Sequence, residues 1–156
     1  MQEPDEKRSD QGSKLLESGL RGYVAGVLDC DGSIWISSDL KLARKHIQYR
    51  LHVSVTNTRS DLPKWFAAQF GGASKSYPAR SEKWRPEHRW ACSGLRAASV
   101  VSLALPYLII KHQQGLYALE FGSTITPGCK QLPDSFREIR ARLYSEMLVL
   151  NKRGPA

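Results

Sequence analysis

Two carboxylates, Asp29 and Asp31, stand one residue apart at the end of an apolar run, within the stretch GYVAGVLDCDGSIWI over residues 22–36. The apolar positions Leu20, Val24, Val27 and Leu28 recur at helical spacing, which predicts a helix from about Lys14 or Ser18 to Cys30. Gly32 follows, where a helix often ends on a left-handed residue. The two acids therefore fall at the helix C-terminus, which already carries partial negative charge. A cation would relieve the repulsion, and hard divalent metals favour carboxylate and carbonyl oxygens. A metal so held suits in-line hydrolysis of a phosphodiester, because it neutralises developing charge and activates water. The plain alternative is an Asp-Gly turn. An EF-hand loop counted from Asp29 is excluded, since its twelfth position is Leu40 and a bidentate Glu is required there.

Other residue types offer less. Cys30, Cys92 and Cys129 form no CxxC pair, and His46, His52, His88 and His112 are scattered without an HExxH pattern. A disulfide framework and a zinc site are thus unexpected, and a reducing intracellular compartment is the expectation. The charge is more telling. Lys and Arg number 23 against 15 Asp and Glu, a net charge of +8 over 156 residues. That balance favours a polyanionic partner, nucleic acid before an anionic membrane surface. The longest apolar run, Ala97–Ile110, is too short to span a bilayer and contains Pro106. The expectation is a soluble protein of one domain over residues 14–150, with a disordered tail over 1–13 and a short tail over 151–156.

The elements that must position the acids follow from periodicity. Ser33–Ser38 alternates, Asp39–His46 reads as a loop, and Gln48–Asn57 alternates again with Leu51, Val53 and Val55 on one side. The two segments are expected to pair as an antiparallel hairpin. A helix is expected over Asp61–Phe70, with Pro63 in its first turn and Gly71-Gly72 ending it. Strands near Ala73–Ala79 and Glu87–Ser93 flank a basic loop. Helices should follow over Leu95–Leu105, His112–Ser123 and Pro133–Leu150. The fold class is α+β, with one antiparallel sheet and helices on one face. The free sheet face should carry Ser33, Trp35, Ser37, Gln48, Arg50, His52, Ser54 and Arg89, with Lys75, Tyr77, Arg80, Lys83 and Arg85 from the third strand and the basic loop. A solvated surface is the ordinary reading of such a face. Its amide, hydroxyl, imidazole and guanidinium groups also suit base edges in a major groove, with the loop cations on phosphates.

Gly22, Gly26 and Cys30 are small and four apart. Glycine weakens a helix, so the row implies that another backbone comes close. That neighbour is either part of the same domain or the same helix of a second copy crossing about a twofold axis.

Val24-Ala25-Gly26-Val27-Leu28-Asp29-Cys30-Asp31-Gly32 resembles the LAGLIDADG motif of homing endonucleases, and Tyr23 before it and Ser33-Ile34 after it also fit. Leu51–Asn57 resembles the family's second strand, and Leu105–Gln114 the segment that carries its active-site lysine. The three stretches occur in the family's order, within about residues 18–123. The resemblance implies an αββαββα fold whose antiparallel sheet forms a DNA-binding saddle, here with extra C-terminal helices. A single motif without internal repeat implies a homodimer, with Gly22, Tyr23, Gly26 and Cys30 at its interface. The implied activity is Mg²⁺- or Mn²⁺-dependent cleavage of both strands of a long pseudo-palindromic DNA site, Ca²⁺ binding without supporting cleavage.

By motif position, Asp31 is the implied metal ligand, joined by the Cys30 backbone carbonyl. Lys111 matches the basic residue near the scissile phosphate. Asn57 matches a polar residue, often glutamine, that positions the attacking water. Asp29 is assigned to shaping the helix end and the interface. Cys30 departs from the usual Ala or Gly, and Asp61 stands near the place of a further basic residue, with Arg59 the nearest substitute. An RNA-splicing maturase acting on intron RNA, or a non-cleaving DNA-binding regulator on the same fold, is the alternative function.

Overall fold

The computed structural model describes residues 5–41, 46–129 and 131–152, with side chains over 17–40, 47–129 and 131–152. Helix α1 spans Asp5–Asp31, so it begins well before Lys14. Apolar periodicity could not find that start, because residues 5–14 include good helix formers such as Glu6, Lys7, Arg8 and Gln11 but no apolar stripe. Residues 1–4 of the expected tail lie outside the described residues, as do 153–156 at the other end.

Strand β1 (Gly32–Lys41) leaves α1 without an intervening loop. Gly32 does not serve as a left-handed cap: positive φ occurs, among the described residues, at Gly71, Gly72, Gly94 and Gly128. It is needed for room instead, since a Cβ there would stand 2.6 Å from both the Cα and the carbonyl oxygen of Leu28. Strand β2 (His46–Asn57) pairs antiparallel with β1, and the hairpin runs further than the alternation suggested, out to Lys41↔His46. Asp39 therefore belongs to a strand, opposite Gln48, and residues 42–45 of the expected loop lie outside the described residues. Helix α2 (Asp61–Phe70), β3 (Ala73–Tyr77) and β4 (Glu87–Ser93) follow. The break after α2 is built from Gly71 (φ 67°) and Gly72 (φ 90°), a conformation that costs glycine little.

The sheet order is β1-β2-β4-β3, antiparallel throughout. Its inner face carries Ile34, Ile36, Leu51, Val53, Val55, Trp90 and Cys92, all buried. α1 lays Val24, Ala25 and Leu28 on the same core, and α2 adds Phe66, which packs on Trp90 with ring centroids 4.9 Å apart. The Trp90 indole N–H donates to the Gly71 carbonyl at 2.7 Å, so its burial leaves no donor unsatisfied. Helix α3 (Leu95–Ala104) ends in a 3₁₀ turn over Leu105–Tyr107, where Pro106 lacks the N–H that a continuing helix needs.

Helices α4 (His112–Ser123) and α5 (Asp134–Asn151) complete the inner layer. Arg140 of α5 holds them together by donating to the Thr124 hydroxyl at 2.8 Å and the Thr124 carbonyl at 2.9 Å. Its guanidinium also lies 4.9 Å from the Phe121 ring centroid. At the end of α5 the Asn151 amide donates to the Ile34 carbonyl at 2.9 Å, which ties the helix to edge strand β1. No helix among the described residues is long and apolar enough to cross a membrane.

Candidate active site and nucleic-acid interface

α1 ends beside two segments that are distant in sequence. Asn57, the last residue of β2, donates its amide N–H to Asp31 Oδ2 at 2.8 Å. The Asn57 carbonyl oxygen accepts from the Arg59 backbone N–H at 2.9 Å, which sets the orientation of the amide. From the other side, the segment before α4 closes on Asp29. Its two carboxylate oxygens accept the backbone N–H groups of Ile109 at 2.8 Å and Lys111 at 2.9 Å. The Lys111 ammonium in turn donates to the Asp29 carbonyl oxygen. Sequence reading named Asp31, Asn57 and Lys111, and all three gather at the base of α1. The Asp29 clamp was not foreseen, because its partners lie 80 and 82 positions away and a backbone donor leaves no mark in the sequence.

The two carboxylates differ in their surroundings as well as in their partners. Partial burial by itself raises the Asp29 pKa. Hydrogen bonds from the backbone of Ile109, Lys111 and Ile110, with the Lys111 charge, outweigh that and hold the group below the ordinary 3.8. Asp31 is exposed, and among the described residues its Oδ1 has no donor. That oxygen is of the type a hard cation takes. No group of three His, Cys, Asp or Glu residues capable of holding a metal forms among the described residues. Among the described residues, the foot of α1 thus offers one open carboxylate, short of a metal's usual oxygen count. The Arg59 side chain is paired with Asp61 at 2.9 Å, both mostly exposed.

The open face of α1 tells between the two readings of its small residues. A Cβ added at Gly22 or Gly26 would meet nothing within 4 Å among the described residues. Packing within the domain therefore does not require those glycines. Cys30 on the same row is exposed. Tyr23 is 52% exposed but leans edge-on against Trp65 of α2, ring centroids 5.3 Å apart.

The outer sheet face gathers the expected polar groups. In register, Ser33 faces Ser54, Trp35 faces His52 and Ser37 faces Arg50. Lys75 and Thr56 flank Arg89, and Tyr77 pairs with Glu87. Trp35 and His52 stack with centroids 5.0 Å apart and planes 13° apart, and His52 Nε2 shares a 2.9 Å hydrogen bond with the Ser37 hydroxyl. Burial, then the Arg50 charge, lowers the His52 pKa against a smaller opposing effect of Asp39. Arg89 pairs with Glu87 at 2.8 Å and lies 5.5 Å from the Tyr77 ring centroid. Gln48, Arg50, Lys75, Arg80, Lys83 and Arg85 are exposed. Ser54 is the exception, only 5% exposed between Ser33 and Ala91, so its hydroxyl lies beneath the surface and does not project from it.

Three features escaped the sequence reading. Trp84 is 69% exposed and lines a cleft of about 530 Å³ with Tyr77, Arg80, Arg85 and Arg89; the run KWRP, an aromatic between cations, was its signal. Gln114 and Lys152 join Lys111, Ser33 and Arg89 around an open cleft of about 710 Å³. Lys152 follows α5 directly and had no motif to mark it. Asp39 brings a negative group onto the face, hidden because its segment looked like a loop.

Solved structures share this arrangement of elements. The homing endonuclease I-CvuI, in complex with its target in the presence of calcium, superposes with a TM-score of 0.71 at 18% identity, over 90% of this chain and 87% of that one. The archaeal intron-encoded I-Vdi141I, complexed with DNA, gives 0.69 at 16% identity over 89% and 88%. The LAGLIDADG homing endonuclease I-SmaMI, bound to cleaved DNA, gives 0.63 at 16% identity over 85% of this chain but 45% of its own. The fold is that of the LAGLIDADG homing endonucleases. No family model matches the chain, and no curated protein does; at these identities the likeness is one of fold. In a LAGLIDADG fold the motif helix is α1, and Asp31 stands at its foot beside the sheet.

Proposed function

We propose that this chain is a site-specific DNA endonuclease that hydrolyses both strands of a long pseudo-palindromic site as a homodimer, with residues 14–150 as its single functional domain. The observation that carries the reading is the meeting of Asp31, Asn57 and Lys111 at the foot of a helix whose glycine face is open. A metal-holding set would need more than one chain's Asp31, and a second copy crossing at Gly22, Gly26 and Cys30, with Tyr23 at the margin, would bring its own Asp31 alongside.

Asp31 and the Cys30 carbonyl are the groups to hold Mg²⁺ or Mn²⁺, which supplies charge neutralisation and an activated water when bound. Asn57 holds the Asp31 carboxylate through Oδ2 and leaves Oδ1 for the cation. In the cleavage state the Lys111 ammonium offsets negative charge that develops on the scissile phosphate. Ser33, Trp35, Ser37, Gln48, Arg50, His52, Lys75, Tyr77 and Arg89 face the major groove, and Arg80, Lys83 and Arg85 reach phosphates from the loop. Ser54 supports that surface from below. In support, the structural neighbours are described as DNA complexes. Mg and Ca were both present in I-CvuI structures, the Mg one with DNA not cleaved.

The test is cleavage of a randomised plasmid library by purified protein with Mg²⁺. Recovery of a discrete, roughly twofold-symmetric site supports the proposal. Tight DNA binding without cleavage of any site overturns it in favour of a non-cleaving regulator.

A further inference from the structure

Asp29 makes more contacts than the end of a helix requires. Its carboxylate takes two backbone N–H groups from the Ile109–Lys111 segment, and its carbonyl takes the Lys111 ammonium. Beyond these contacts the Lys111 carbonyl accepts the Gly115 N–H of α4 at 2.9 Å. Ile109 and Ile110 are 86% and 71% exposed, so apolar burial does not fix the backbone there. The preceding Pro106 turn and the following α4 bound it, with Leu108 the buried anchor. Lys111 is also the N-cap residue of α4; its ammonium, a donor only, cannot cap the helix N–H groups and donates to the Asp29 carbonyl of α1 instead.

We infer that Asp29 is a positioning residue for Lys111: it fixes both the backbone and the ammonium of Lys111 against the last turn of α1, two residues from Asp31. The inference rests on the endonuclease reading for its activity consequence, but the clamp itself does not. The geometry couples the two halves of the site. Asp31 is carried by α1 and Lys111 by the segment before α4, and Asp29 is the group that touches both. Asparagine cannot replace it, because one of its two terminal atoms is a donor and would face a backbone N–H. A misplacement of about 1 Å in such a site can cost about 100-fold in rate.

Two measurements test this. In wild-type protein without DNA, the Ile109 and Lys111 amides should exchange with deuterium far more slowly than in an unstructured peptide of the same sequence, although their surroundings are exposed. Exchange at peptide rates overturns the clamp. In single-turnover cleavage, Asp29→Asn should lower the rate about 100-fold with DNA affinity unchanged, yet change it less than about twofold when Lys111 is already alanine. Equal losses in the two backgrounds mean that Asp29 acts independently of Lys111 and overturn the inference. Should Asp29→Asn not fold, Asp29→Glu, which keeps the charge but displaces the oxygens, takes its place in the same cycle. Absence of wild-type cleavage counts against the endonuclease reading and leaves the exchange measurement to decide the clamp.

Discussion

Asp29 and Asp31 stand two residues apart on one helix and live in opposite surroundings. Asp29 turns inward, and both its oxygens are taken by the chain itself. Asp31 is exposed, held through one oxygen by Asn57, with the other open. The same contrast holds for the faces of α1. Val24, Ala25 and Leu28 are wholly buried, whereas Gly22 and Gly26 have no neighbour among the described residues that a methyl group would touch. The difference teaches where this molecule is complete in itself and where it waits for something else. Asp29 and the inner face find their partners within one chain. On the proposed reading, Asp31 and the glycine face take a metal ion and a second copy.

The contrast can be broken most severely at Asp31. Replacing it with asparagine should leave folding and DNA affinity intact while lowering cleavage by roughly 10³-fold or more, read by single-turnover kinetics beside gel-shift titration. A comparable fall in affinity would assign Asp31 to binding instead. Next in size is Gly26→Leu. In one chain the site is open, so thermal stability of the monomer should rise by roughly 0.5–1 kcal/mol from helix propensity. A copy crossing at this point should lose about ten- to hundred-fold in dimer affinity through overpacking. Sedimentation and melting curves moving in the same direction would show that the face is mere surface.

A smaller effect should appear in acid. Folding favours ionised Asp29, so the stability it contributes is present in full above the ordinary carboxylate pKa of 3.8 and is lost as pH falls below it. Wild type should thus lose stability below about pH 4 more steeply than Asp29→Asn, measured by urea melts across that range. Parallel curves would deny the clamp its electrostatic part. The gentlest probe is thiol labelling. Cys92 is buried with its pKa pushed up to about 11 and should resist alkylation at neutral pH, while exposed Cys129 reacts. Cys30 should react in dilute monomer and be protected in the dimer. Labelling of Cys30 independent of protein concentration would place the interface elsewhere.

Much of the fold was legible because its elements carry clean periods. The boundaries of α2, β4 and α4 match the expected ones, each marked by glycine, proline or a switch of period. The start of α1 was not legible, since a polar helix leaves no apolar stripe. Nor was the full length of the β1–β2 hairpin, because Ser38 interrupts the apolar side set by Ile34 and Ile36 before Leu40 resumes it. Gly32 was read as a left-handed cap, but what demands glycine there is the Leu28 backbone 2.6 Å from a would-be Cβ. Such a contact is invisible before the chain folds. At the site, motif spacing located Asp31, Asn57 and Lys111. It did not reveal that Asn57 would hold Asp31 or that Asp29 would hold Lys111. Those pairings depend on how the end of β2 and the segment before α4 converge on α1.

The central claim is that one chain supplies half of a cleavage site. Co-expression of wild type and Asp31→Asn at varied ratios, followed by single-turnover double-strand cleavage of the selected site, tests it most directly. The account predicts that the rate follows the square of the wild-type fraction, because both copies of Asp31 are needed. A rate that falls in simple proportion to that fraction would mean that each chain cuts alone, and would contradict it.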